Sequence, residues 1–155
     1  MDQKTDLFEE RLQAANASYR DGDIKAALKA YARLMETYPE EPLCYYNMAL
    51  AFIEKEDYTM AKKLFKQALK LGFISSKIYI GLGFCALKLS QFEEAATFFA
   101  GVPEEAEEYI EGLIGRVYAS VLSHQTGNIP PLLAELKGRN VWNQELELLS
   151  KRSRY

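Results

Sequence analysis

The feature that most constrains this chain is a spacing of 34 residues. Shifting the sequence by that step places Ala27 on Ala61 and Ala95, and Tyr31 on Phe65 and Phe99. Ile24 falls on Tyr58 and Phe92, Ala15 on Ala49 and Gly83, Ala14 on Met48 and Leu82, and Leu34 on Ala68 and Val102. Tyr45 falls on Tyr79. No gap is needed across three copies. Small residues meet small ones and aromatics meet aromatics at the key positions. Within a copy, apolar residues recur at helical spacing, as in Tyr45, Met48, Ala49 and Phe52, then Ala61, Leu64, Phe65 and Ala68. Each copy therefore reads as two antiparallel helices. Two helices approach closely only where a small side chain faces the partner. Ala15, Ala49 and Gly83 supply that on the first helix, and Ala27, Ala61 and Ala95 on the second. One hairpin cannot bury its apolar face alone, whereas stacked copies share a continuous core.

The breaks repeat as well. The copies turn at Asp21-Gly22-Asp23, Glu56-Asp57 and Ser90-Gln91, and Ser90 with Glu93 matches a capping box. Pro39, Pro42, Gly72, Ser75 and Ser76 punctuate the joins between copies.

This pattern resembles the tetratricopeptide repeat (TPR), a 34-residue helical hairpin. The family has a small residue at the eighth position, Ala at the twentieth, an aromatic at the twenty-fourth and often Pro at the thirty-second. With copies at 8–41, 42–75 and 76–109, those positions hold Ala15, Ala49 and Gly83; Ala27, Ala61 and Ala95; Tyr31, Phe65 and Phe99; and, in the first copy, Pro39. Gly101 and Pro103 are expected to shorten the third copy's second helix. The resemblance implies an all-α fold, a right-handed TPR solenoid of about three helix pairs with a degenerate fourth pair and a capping C-terminal helix, in one domain over 1–155.

Beyond the repeats, Pro103 with Glu104, Glu105, Glu107 and Glu108 reads as the start of a long helix running to about Gln125. Pro suits a first helical position and carboxylates suit the positive end of the helix dipole. Gly115 and Tyr118 echo a fourth first helix. A shorter helix is expected after Pro130-Pro131, but the period is lost here, so the cap over 104–151 reads as degenerate. A last helix, about 141–151, carries Val141, Trp142, Leu146 and Leu149. The final "SKRSRY" reads as a solvated basic tail.

Composition narrows the function. The 155 residues are 48% hydrophobic and 26% charged with a net charge of -3, which argues against nucleic acid as a partner. No apolar run reaches the roughly 20 residues of a membrane span. The polar, acidic start lacks the apolar stretch of a signal peptide, so a cytoplasmic location is expected. Cys44 and Cys85 fall beside apolar helix residues and read as buried, reduced thiols. With His124 the only histidine, no zinc site of ordinary spacing can form. The "GLGF" at 81–84 matches a carboxylate-binding loop of PDZ domains, but it lies mid-helix with Gly83 at the repeat's small position. No nucleophile and base can be paired. No cofactor and no enzymatic activity are expected.

Function is then expected on a surface. By the TPR resemblance, the first helices line a concave groove through six positions of each copy. The candidate peptide-binding residues are Leu12, Asn16, Tyr46, Asn47, Leu50, Lys77, Ile80 and Phe84. With Ile53 and Leu87, the apolar members form a wall not needed for packing within a copy, and such exposed surface marks a binding site. A helix of the same chain, or a second subunit in a homodimer, would be another way to cover it. Asn16, Asn47 and Lys77 fall on three of the five positions by which some TPR cochaperones grip a terminal carboxylate. Leu12 and Gly81 occupy the other two, so two cations are missing and carboxylate capture is not expected. An apolar groove with amides suits an extended protein segment with spaced apolar anchors. In size, and in the character of residues 78–99, the chain is similar to type III secretion chaperones that guard translocator subunits. That resemblance implies holding an aggregation-prone client soluble. The other reading is a structural scaffold subunit of a larger or self-assembled complex.

Overall fold

A computed structural model of the chain describes residues 3–152, and the side chains of 7–151. Ser153, Arg154 and Tyr155, in the basic tail, lie outside the described residues. Those described form nine α-helices and one 3-10 turn, with no strand. They are α1 (Gln3–Arg20), α2 (Ile24–Thr37), α3 (Pro42–Glu54), α4 (Tyr58–Lys70), α5 (Ser76–Lys88), α6 (Phe92–Ala100), α7 (Tyr109–Leu122), α8 (Ile129–Gly138) and α9 (Gln144–Arg152). Thr126–Asn128 is the 3-10 turn leading into α8. The described chain falls into two compact units divided between Ile74 and Ser75.

The register survives further than the sequence reading holds. Second helices begin at Ile24, Tyr58 and Phe92, and the 3-10 turn begins at Thr126, each 34 residues after the last. The turn before each carries one left-handed residue: Gly22 (φ 81), Glu56 (58), Ser90 (58) and His124 (59). The fourth pair is therefore in phase. Its residue types have changed, which hid the period.

In the first unit, Asp23 and Asp57 end the turns as N-caps. Their carboxylates accept from the backbone N–H of Ala26 (2.9 Å) and Met60 (3.0 Å), satisfying donors that no helical carbonyl can reach. Ala15, Ala27, Ala49 and Ala61 are buried where helices approach. One core cluster gathers Phe8, Leu12, Tyr31, Leu34 and Tyr38 from α1, α2 and the turn after α2 with Cys44 and Ala51 of α3. Phe8 and Tyr38 meet edge to face at 5.1 Å.

In the second unit, Phe99 of α6 is wedged between two glycines. A Cβ at Gly83 of α5 would stand 2.6 Å from its ring, and one at Gly115 of α7 2.7 Å. The α8 and α9 end is a separate cluster of Leu132, Leu133, Leu136, Leu146 and Leu149 against Leu113 and Val117 of α7.

Several local expectations are corrected here. Ser90 and Glu93 form no capping box. Ser90 is the left-handed residue after α5, and Gln91 takes the N-cap position without a side-chain capping bond to α6. Pro103 does not start a helix. Residues 103–108 turn tightly, with the Ala106 N–H on the Pro103 carbonyl and the Tyr109 N–H on that of Ala106. The acidic groups are used individually. Glu108 accepts the Ser76 hydroxyl at 2.6 Å, and Glu104 pairs with Arg139. The following helix, α7, ends at Leu122, and α8 begins at Ile129 with both prolines in its first turn. Val141 and Trp142 precede α9, which is capped by Asn143 Oδ1 accepting from Leu146 N–H at 2.9 Å.

The Phe99 wedge sets a test. Gly115→Ala should lose about 1–3 kcal/mol in urea unfolding by overpacking. The loss should shrink in a Phe99→Leu background, because leucine fills the matching position, Leu133, of the fourth pair. Equal losses in both backgrounds would place the strain elsewhere.

Candidate functional site

The first unit joins two of the expected residues directly. Asn47 Nδ2 on α3 donates to Asn16 Oδ1 on α1 at 3.0 Å. The Tyr31 hydroxyl on α2 donates to the same oxygen at 2.7 Å. The cause lies in the repeat itself. Tyr31 occupies the aromatic position and is buried, so its hydroxyl must find an acceptor. Two donors on one oxygen fix the Asn16 amide. Its NH2 group remains to donate and the Asn47 carbonyl remains to accept. Burial, followed by Tyr19 and Cys44, pushes the Tyr31 hydroxyl up to about 12, with Arg20 opposing. Tyr19 donates to Glu54 at 3.4 Å, a second link from α1 to α3, and its pKa is raised by burial and then by Glu54.

Of the apolar residues expected there, Leu50 is half-buried. Tyr46 is too, with its ring tilted against Phe65 (5.7 Å) and Phe73 (5.3 Å), so part of it packs within its own hairpin. Leu12 is not on an open wall. It is 3% exposed, in the same core cluster as Cys44 and Ala51 of α3.

The second unit holds the other three. Lys77 is exposed. Glu108 is lowered from its ordinary carboxyl value by the Ser76 hydrogen bond first, with the Lys77 charge adding to it. Ile80 is half-buried against the cluster of Ala86, Ala95 and Phe99. Phe84 is 37% exposed, with the Lys88 ammonium 5.4 Å from its ring centroid. The sequence reading did not carry the groove positions on to Ile114 and Tyr118 of α7 and Leu148 of α9, which lie one or two periods beyond Ile80 and Phe84. Leu148 is 57% exposed. Tyr118 donates to Glu145 of α9; that bond first, then burial, pushes its hydroxyl up to about 12. Continuing the period past residue 109 would have found all three.

Cys44 and Cys85 are buried thiols outside any disulfide, and burial followed by Glu41 raises Cys44 to about 11. Among the described residues no group of His, Cys, Asp or Glu is placed to hold a metal ion. No helix among them is long and apolar enough to cross a membrane.

Comparison with known proteins agrees with this repeat geometry. Tetratricopeptide-repeat family models match residues 11–41 and 43–71. The Mus musculus Tetratricopeptide repeat protein 28 is 23% identical over 133 residues, 84% of this chain, and the chain spans 5% of that protein's length. Among solved structures, YrrB, a TPR protein with an unusual peptide-binding site, superposes with a TM-score of 0.75 at 17% identity over 98% of this chain and 91% of its own. The first TPR of Spaghetti (RPAP3) bound to the HSP90 peptide SRMEEVD gives 0.66 at 21% identity, over 73% and 92%. At such identities these likenesses show the fold.

The Tyr31 network predicts a pH effect. The folded hydroxyl titrates above its ordinary value of 10, so its stabilisation is complete below about pH 10 and is lost as pH rises through about 12. Tyr118 contributes in the same window. Tyr31→Phe should lower stability by about 1 kcal/mol at neutral pH. In urea titrations repeated from pH 9 to about 12, that variant should also show a shallower alkaline decline than the wild type. An unchanged decline would assign it to other groups.

Proposed function

We propose that this tetratricopeptide-repeat protein is a non-enzymatic protein-interaction module whose first unit takes an extended segment of another protein along α1 and α3. The observation that carries this reading is the amide pair. With Asn16 Oδ1 saturated by Tyr31 and Asn47, the pair offers one donor group and one acceptor. A peptide unit presents the complementary carbonyl and N–H. Leu50 and Tyr46, both half-buried, lie on the same helix as Asn47 and offer apolar contact beside it. In the second unit Ile80 and Phe84 repeat that apolar character on α5, with Lys77 exposed one turn before Ile80. YrrB and the Spaghetti domain, similar in fold, are described with a peptide-binding site and a bound peptide.

The narrower version is a cytoplasmic chaperone that holds an aggregation-prone secretion client unassembled. Its support is the resemblance of residues 78–99 to secretion-chaperone repeats. It predicts a client that precipitates without this protein and stays monomeric with it.

A photo-crosslinking amino acid at position 50, and separately at 84, should trap one heterologous protein in the cell of origin. The trapped segment, made as a peptide, should bind the full chain. Leu50→Glu should weaken it at least about tenfold, because a carboxylate would lose its water against an apolar anchor. Tyr46 is a poor test position because Phe65 and Phe73 depend on it. If only a second copy of this chain is trapped, the protein is a self-assembling scaffold subunit. Unchanged affinity in Leu50→Glu would move the site off α3.

A further inference from the structure

On another face of the second unit, α6, α7 and α8 line an open cavity of about 540 Å³, with Glu93, Gln125 and Asn128 exposed at its mouth. The repeat register shows why it exists. Step by step, Ala14, Met48 and Leu82 lead to Arg116. Leu82 is completely buried, yet its counterpart is a guanidinium lining the cavity. Ala86, also completely buried, leads to Ser120, which is 4% exposed and lines the same space. The aromatics shrink at the same step, Phe92 to Thr126 and Phe99 to Leu133. At Arg116, Ser120 and Thr126 the fourth pair has thus exchanged apolar types for polar ones, and the first two line the cavity. A polar break in an otherwise consistent pattern, with room beside it, marks a functional site more than a packing solution.

The cavity's chemistry is specific. Glu93 on α6 and Arg116 on α7 both line it, yet they form no ion pair with each other or with any other described residue. By contrast Glu135, also at the cavity, is engaged by Tyr109 and Arg139. Asn128 Nδ2 donates to Gln125 Oε1 at 3.3 Å, leaving the Asn128 carbonyl and the Gln125 NH2 for a guest. The Thr97 hydroxyl donates to the Glu93 carbonyl at 3.0 Å and keeps its lone pairs. Two opposite charges facing one cavity, neither of them in an ion pair, are complementary to a guest carrying both. The volume lies within the roughly 300–1,000 Å³ of small-molecule sites.

We propose that this cavity binds a small zwitterion of the amino-acid class, with its carboxylate on Arg116, its ammonium on Glu93 and a polar side chain toward Gln125 and Asn128. The site is separate from the α1 and α3 face and does not depend on it. The test is an amide NMR titration of the full chain with L-glutamine, and with butyrate and n-butylamine as probes carrying one charge each. L-glutamine should give saturable shifts confined to α6–α8, with millimolar affinity at least about tenfold tighter than either single-charge probe. Arg116→Leu, which restores the residue type of Leu82, should keep the fold and abolish L-glutamine binding. Glu93→Gln should weaken L-glutamine and leave butyrate unchanged. Absence of saturation, equal affinity for the single-charge probes, or undiminished binding by Arg116→Leu would each overturn the proposal.

Discussion

An aromatic ring can lie between two helices only where those helices lack side-chain bulk, and this constraint organises the molecule. Phe99 shows it in the second unit, with glycines on both sides. In the first unit alanines make the room, and Tyr31 and Phe65 are buried at the corresponding ring positions. The choice between Phe and Tyr then has consequences beyond packing. A buried phenylalanine asks nothing of its surroundings. A buried tyrosine requires an acceptor, and Tyr31 takes Asn16. The candidate site in the first unit therefore follows from a core requirement. The Asn16 amide is aimed by the ring that packs the hairpin together.

The helix pairs were legible because that packing rule leaves a strict period and because Asp23 and Asp57 mark where second helices begin. The fourth pair was read only as degenerate, and its phase was not legible, for the complementary reason. Its geometry is conserved in step, with a left-handed residue at His124 and a turn of helix at Thr126, but Ile129 and Leu133 replace the expected alanine and aromatic. Residue type is read first in a sequence, and here phase outlasted type. Of the four left-handed residues in the turns before second helices, only Gly22 is a glycine. A left-handed conformation is uncommon for a residue with a Cβ. At Glu56, Ser90 and His124 the packing of the flanking helices must impose the turn, so no glycine announced it.

The candidate site divides along the same line. The positions of Asn16 and Asn47 could be read from the repeat, but their bond joins residues 31 apart and needs a third helix to orient it. Leu12 was misread because burial of a first-helix residue depends on what the next pair lays across it, here Cys44 and Ala51. The capping-box reading at Ser90 failed for a local reason. The motif fixes residue types, whereas the cap requires an extended backbone that a left-handed Ser90 does not have.

Repeat architecture also explains how one helix can serve two surfaces. Arg116 and Tyr118 of α7 are two residues apart, so on a helix they point about 200° from one another. Tyr118 bonds Glu145 of α9, in step with Phe84, while Arg116 lines the cavity shared with α6 and α8. Each repeat packs mainly on its neighbours, so a change of residue type in one copy is felt chiefly by the helices beside it. A leucine buried at position 82 can become an arginine at 116 without disturbing the pairs before it. The polar cavity and the loss of a readable period then have one origin: the fourth pair kept the backbone register while its residue types changed, polar at Arg116 and Ser120 and aliphatic at Ile129 and Leu133.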